Sequence, residues 1–291
     1  DDRSARGYGT YSARFGNVYT ARQLKQLQEM ALGLTRPDKD LVWRREDGRF
    51  VDGLRPNIEP QGFASIDEAL QSRAVLLASV ADMVNNSDVL LFTMGLTEGW
   101  ERVSDGMVVP VPPGVVTPVP TGDDFRFINF TLNQIVSDLR SFLWLLRAVN
   151  KSARVVLTVS PVPLVATYEN RSVICSTAYS KAVLRTAASM LEQEFPWLMY
   201  FPSYEVITTG PNAGRYFHPD QRNVTDEGVA HVMRLFMKHL GDRQQQRAPQ
   251  QHANMSLSRI GLLDIFLQVF VVPNDREFED WGSGWHVRPN E

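Results

Sequence analysis

Apolar residues along this chain recur with two alternating periods. After Thr20, Leu24, Leu27 and Ala31 fall at helical spacing, and Gly33 closes the segment. After Ser65, a second helical stripe runs through Leu70, Ala74, Leu77, Val80, Ala81 and Val84 and ends at Asn85-Asn86. Val89–Phe92 is a continuous apolar run, the pattern of a strand buried on both faces. A broad stripe (Leu132, Ile135, Val136, Leu139, Phe142, Leu143, Leu146) predicts a helix packed on a sheet. Residues 154–160 predict the next buried strand, cut off by Pro161 and Pro163. Residues 175–194 read as a helix with Tyr179, Val183, Leu184, Ala187 and Leu191 inward, and Pro196 ends it. Residues 198–201 form a short strand, and a last helix follows Thr225, with Asp226 and Glu227 placed favourably against its N-terminal dipole. Thr20 with Gln23, Ser65 with Glu68, and Thr131 with Gln134 are capping boxes that fix three helix starts.

Helix and strand therefore alternate. Right-handed crossovers turn that order into an α/β fold, a three-layer α/β/α sandwich around a parallel sheet. Residues 34–63 read as an irregular excursion with a short hairpin around Asp47-Gly48, and residues 101–122, with five prolines, as an extended loop. The α/β domain is assigned to 1–241, a polar linker to 242–256 and a C-terminal extension to 257–291. The apolar patch Ile260–Val272 is shorter than the ~20 residues of a membrane span. It predicts a helix or strand docking on the domain, or else a contact with a partner protein or membrane surface.

Composition narrows the functional classes. The chain has 291 residues, 43% hydrophobic and 22% charged, which is ordinary for a globular domain. A net charge of −3 gives no reason to expect nucleic acid as a partner. Cys175 is the only cysteine, so an intrachain disulfide and a cysteine-based metal cluster are excluded. That usage fits a cytoplasmic location, and neither metal nor cofactor is expected. Dinucleotide, P-loop, zincin and nucleophile-elbow motifs are absent. The first residues do not form a signal peptide and lack a starting Met, which is the pattern of a piece cut from a longer chain.

In open α/β sheets, ligands bind beyond the carboxyl ends of the strands. The Val89–Phe92 run leads to Gly95, Thr97, Glu98 and Trp100, so this stretch is the candidate rim of a site, with a plain strand-to-loop exit as the alternative. Ser160 ends its strand at the same rim, where a hydroxyl can serve as a nucleophile or satisfy local backbone. His218 and Asp220 share a loop that topology returns to that side. They are candidates for a general base and its orienting acid, or are solvated residues with Asp220 helping to cap the last helix. Tyr204 and Glu205 line the pocket or simply pack. Ser176, Tyr179, Ser180 and Lys181 cluster at a helix start, where amides can hold an anion, with helix-surface positions the simpler reading.

Several segments together carry a likeness: Phe-Gly-Asn-Val-Tyr-Thr-Ala-Arg-Gln-Leu, Phe-Thr-Met-Gly-Leu-Thr-Glu-Gly-Trp, Thr-Val-Ser-Pro-Val-Pro-Leu, Tyr-Ser-Lys-Ala-Val-Leu-Arg and Tyr-Phe-Pro-Ser-Tyr-Glu. In order and separation they resemble the bacterial GSCFA-domain family, which is similar to the SGNH (GDSL-like) hydrolases. The resemblance implies a flavodoxin-like sandwich and an esterase or O-acyltransferase whose partner is a carbohydrate or acyl-ester small molecule, a surface polysaccharide ester above all. It also implies an oxyanion-hole amide at Gly95, with Thr97 in place of the usual donating Asn. Two departures stand out. No Gly-Ser-Cys-Phe-Ala segment occurs, so the nucleophilic serine and the first strand are expected to lie upstream, leaving an apolar edge on the central strand. The Asp-x-x-His pattern, aligned on Asp220, puts Asn223 at the His position, with His218 on the other side. The alternative is a non-catalytic carbohydrate-binding or assembly protein that retains the fold. The resulting geometric expectation is that Gly95, Thr97, Ser160, His218 and Asp220 line one cleft, with Glu98 and Tyr204 at its edge.

Overall fold

The computed structural model describes residues 14–37, 39–111, 114–117, 124–245 and 269–272. Its elements, in chain order, are α1 (Ala21–Ala31), β1 (Val42–Arg44), β2 (Phe50–Asp52), α2 (Ile66–Asn86), β3 (Val89–Met94), β4 (Glu98–Arg102), β5 (Val108–Val109), β6 (Phe125–Asn129), α3 (Leu132–Val149), β7 (Arg154–Val159), α4 (Val173–Glu194), β8 (Leu198–Tyr200), α5 (Ser203–Thr208), α6 (Asp226–Gln245) and β9 (Val269–Val272). The helix starts follow the chemistry that predicts them. Thr20 and Thr131 each exchange hydrogen bonds with Gln23 and Gln134 in complete capping boxes. At α2 the box is shifted: Ser65 accepts from the Glu68 amide, while the Glu68 carboxylate takes the Ala64 amide at 2.6 Å instead of that of Ser65.

The main sheet is parallel from β8 through β7 to β3, with Val89 opposite Arg154 and Val155 opposite Leu198. Side chains alternate across it, as a period of two requires. Leu90, Phe92, Met94, Val155, Leu157 and Val159 face the core under α1–α4, while Val89, Leu91, Val156 and Met199 face a second core under α5 and α6. Both faces of β3 are covered, which is why its sequence is unbroken apolar rather than alternating. Helices on both faces make this a three-layer α/β/α fold. Among the described residues, no helix is long and apolar enough to cross a membrane.

Three features depart from the sequence reading. Residues 98–129 hold a second, three-stranded antiparallel sheet in the order β5-β4-β6, where the sequence reads residues 101–122 as an extended loop; Glu98 stands opposite Asn129 and Trp100 opposite Phe127. The chain therefore breaks at residues 95–97, and Trp100 belongs to the small sheet. Second, β9 pairs antiparallel with β3, Val89 opposite Val272 and Phe92 opposite Val269, so the edge expected to stand open has its backbone groups partnered. Third, α6 runs to Gln245, four residues past the expected domain end at 241. The rest of the linker and extension, including His252, His286 and residues 260–268, lies outside the described residues. The hairpin around Asp47-Gly48 forms as β1–β2 and is held to α2 by Asp52, buried between Arg55 and Arg73 at 2.8 and 2.6 Å.

Candidate functional site

The β3–β7 ladder ends where the Ser160 amide donates to the Met94 carbonyl. Beyond that point the chain turns through Gly95, Leu96 and Thr97. The Gly95 and Leu96 amides both donate to the Tyr19 carbonyl, at 3.0 and 3.3 Å, just before α1 begins. A Cβ at Gly95 would lie 3.3 Å from that oxygen, which accounts for the glycine. The Thr97 carbonyl accepts from the Phe130 amide, and this bond swings the chain into the small sheet.

Three segments meet at this turn: β4 with β6, the loop 161–172 that follows β7, and the first turns of α4. Three consecutive loop residues each engage the small sheet. Thr167 reaches Glu98, Tyr168 packs edge-on against Trp100 at 4.9 Å, and the Asn129 amide donates to Glu169 at 2.9 Å. The Tyr168 ring is 57% exposed, and Trp100 and Phe127 beneath it are half-buried.

Donor and acceptor roles fix the direction of the hydrogen bonds. Glu169 can only accept, so Asn129 presents Nδ2 to it and Oδ1 to Thr97, whose hydroxyl donates at 2.7 Å. With the Thr97 proton committed, the Ser180 hydroxyl donates to Thr97 Oγ1 at 2.7 Å, and Ser180 Oγ in turn accepts the Thr97 amide at 3.2 Å. The first chain thus runs from the Thr97 amide through Ser180, Thr97 and Asn129 to Glu169. A second runs from Arg171 Nε to Ser176 (2.9 Å), to Thr167 (3.0 Å), and to Glu98 Oε1 (2.7 Å). Both are one-directional and end on a carboxylate, an arrangement in which each bond polarises the next. Among the described residues, the other oxygen of each carboxylate has no hydrogen-bond partner, so Glu98 and Glu169 keep acceptor capacity for a ligand.

Lys181 completes the site. Its amine donates to the Gly95 carbonyl at 2.7 Å, and its side chain is buried. Burial without a nearby counter-charge pulls its pKa down to about 7.

The other candidate residues lie differently. Ser160 is buried and its Oγ accepts the Val162 amide. Strand alternation puts it on the face of Thr158, which bonds Ser203 of α5, opposite the face from which Ser180 and Lys181 arrive. Tyr204 is half-buried in α5, and its carbonyl accepts from Thr208. His218 and Asp220 are exposed. The Asp220 carboxylate accepts the Arg222 and Asn223 amides, which hold its pKa below the ordinary range. The His218 amide and carbonyl bond Asn223 and Gln221 within the same loop. No hydrogen bond or ion pair among the described residues joins His218 or Asp220 to Gly95, Thr97, Glu98 or Ser160. The structure thus brings together Gly95, Thr97 and Glu98, and adds Asn129, Thr167, Glu169, Ser176, Ser180 and Lys181. The sequence places Ser176, Ser180 and Lys181 at a helix start, as an anion site or, more simply, as surface; all three are buried. Ser176 and Ser180 continue the inward stripe of Val183, Leu184 and Ala187 at i+3 and i+4 spacing, so periodicity carries a signal for them. Among the described residues, no three His, Cys, Asp or Glu side chains gather as a metal site would require.

Comparison with known proteins adds one match: a family model described as the GSCFA family covers residues 3–236. No curated protein matches the chain.

Proposed function

The chain belongs to the GSCFA family, and from that premise we propose that it is an SGNH-like esterase or O-acyltransferase acting on a carbohydrate ester. One observation carries this reading. The segments Leu-Thr-Glu-Gly-Trp, Thr-Val-Ser-Pro-Val-Pro-Leu and Tyr-Ser-Lys converge beyond the carboxyl end of β3, the place where open α/β sheets bind ligands. There they leave two carboxylates with unused acceptor oxygens beside half-buried rings. Sugar hydroxyls are donors that suit those oxygens, and the rings offer an apolar surface to the carbon face of a sugar. In this reading His218 takes the proton of the hydroxyl or water that attacks the acyl carbon and returns it to the sugar oxygen that leaves, with Asp220 orienting its loop.

The second reading, a carbohydrate-binding protein without turnover, is favoured by a specific feature. The Gly95 and Leu96 amides are both taken by Tyr19, so neither is free to stabilise an oxyanion, and His218 stands in an exposed loop. The separating experiment measures release of acetate from p-nitrophenyl acetate and from an O-acetylated xylo-oligosaccharide, alongside calorimetric binding of the oligosaccharide. Turnover that falls in Glu98→Gln and His218→Ala supports the ester reading. Binding that weakens in Glu98→Gln with no turnover in the wild type supports the second, and neither turnover nor binding overturns both.

A further inference from the structure

Lys181 follows Ser180 directly on α4, and only 2% of its surface is exposed. Among the described residues its amine has one bonded acceptor, the Gly95 carbonyl at 2.7 Å, and no carboxylate within ion-pair reach. A dry ammonium without a counter-charge is unfavourable, and a methionine of similar length would fill the same space. The two neighbouring residues grip the turn after β3 from both ends. Lys181 holds the carbonyl of Gly95, and Ser180 holds the amide and hydroxyl of Thr97. Successive helix residues diverge by about 100°, so one stretch of α4 can reach both ends of a three-residue turn.

We propose that Lys181 is a positioning residue of the strand-end site: its amine fixes the Gly95 carbonyl, and gain or loss of its proton adjusts the Gly95–Thr97 turn and the donor chain that starts at the Thr97 amide. Both forms of the amine donate, but the charged form binds a carbonyl more strongly. The charged groups on the surrounding elements are Glu98 on β4, Glu169 and Arg171 on the loop, Asp138, Arg140 and Arg147 on α3, of which Asp138 pairs with Arg22 and Arg140 with Glu194, Arg154 on β7, and Arg185 of α4, which pairs with Glu205 of α5 at 2.7 Å. None of them bonds the amine, and burial is the one cause of its lowered pKa of about 7. The amine therefore exchanges its proton near neutral pH. This inference deepens the reading above by making that same rim responsive to pH, and it can be tested without a substrate.

The experiment is an NMR titration of the full chain between pH 5.5 and 9, reading backbone amides and, in lysine-labelled protein, the side-chain carbons next to the amines. One lysine should titrate near pH 7, and the Gly95, Leu96 and Thr97 amides should shift with the same midpoint. In Lys181→Met and Lys181→Arg those amides should stay flat over this range, while shifts near His231 persist. The wild-type lysine signals alone decide the matter if a variant fails to fold. The proposal is overturned if every lysine titrates near its ordinary value, or if the turn amides shift equally in Lys181→Met. Absence of ester turnover would sink the ester reading and leave this result standing or falling separately.

Discussion

Lys181 also makes a thermodynamic prediction that needs no ligand. Its folded pKa is about 7, against 10.5 for an ordinary lysine. Below pH 7 the amine is protonated in both the folded and unfolded chain, and the full burial penalty is present. As pH rises from 7 towards 10.5, only the unfolded chain keeps binding the proton, and the penalty is relieved. Wild-type stability should therefore climb by about 1.4 kcal/mol per pH unit from this group, roughly 2 kcal/mol between pH 7 and pH 9. Lys181→Met binds no proton there in either state, so it loses that slope. The Gly95 acceptor it leaves unpaired lowers stability by the same amount at both pH values, and every other titrating group cancels between the two proteins. Urea unfolding followed by tryptophan fluorescence at pH 7, 8 and 9 gives the comparison. If the difference between wild type and variant stays constant within about 0.5 kcal/mol across that range, the amine is not held dry and near-neutral, and the reasoning fails.

Four further outcomes are expected. Asp52→Asn leaves Arg55 and Arg73 facing each other in a buried place and should cost about 3–5 kcal/mol in urea unfolding. Burial pushes the Asp52 pKa up, but the two arginines outweigh it and hold it below the ordinary range, so its contribution is full above the unfolded value and is lost as pH falls through the lower folded one. Gly16→Ala must place a Cβ 2.9 Å from that of Arg55 at a φ of +72°, and should lower stability by about 1–3 kcal/mol. His218→Ala, at an exposed position, should change stability by no more than about 0.5 kcal/mol. It should nonetheless cut ester turnover at least about 100-fold; unchanged turnover would remove His218 as the proton carrier. Deleting residues 246–291 should raise amide hydrogen exchange in β3 and leave β7 protected; unchanged exchange in β3 would mean that β9 does not cover that edge in solution.

The main sheet was legible because its signal is local. Val89–Phe92 is apolar without a break, and only a strand covered on both faces needs that. The capping boxes at Thr20 and Thr131 are equally local and formed as read. The small sheet was not legible in the same way. β4 begins with Glu98 and Gly99 and β5 has two residues, so neither shows a period long enough to count. Phe125-Arg-Phe-Ile-Asn does alternate at first, but its partner is set by a turn at Gly95–Thr97 that depends on Tyr19 and Phe130, residues far along the chain. The site was half legible for the same reason. Gly95, Thr97 and Glu98 follow a recognisable strand, whereas Asn129 and Glu169 are ordinary polar residues until the fold places them on one rim. On sequence Lys181 reads more simply as a helix-surface residue; lysines rarely lie buried without a partner, and that rarity is what gives its position meaning.

The central claim is that ligand binds where β4, the loop 161–172 and α4 meet beyond β3. Amide chemical-shift mapping with an O-acetylated xylo-oligosaccharide addresses it most directly. Shifts concentrated at Gly95–Trp100, Asn129, Thr167–Glu169 and Ser176–Lys181, and weakened in Glu98→Gln, are predicted. Shifts confined to other surfaces, or shifts at this rim that persist undiminished in Glu98→Gln, would contradict it.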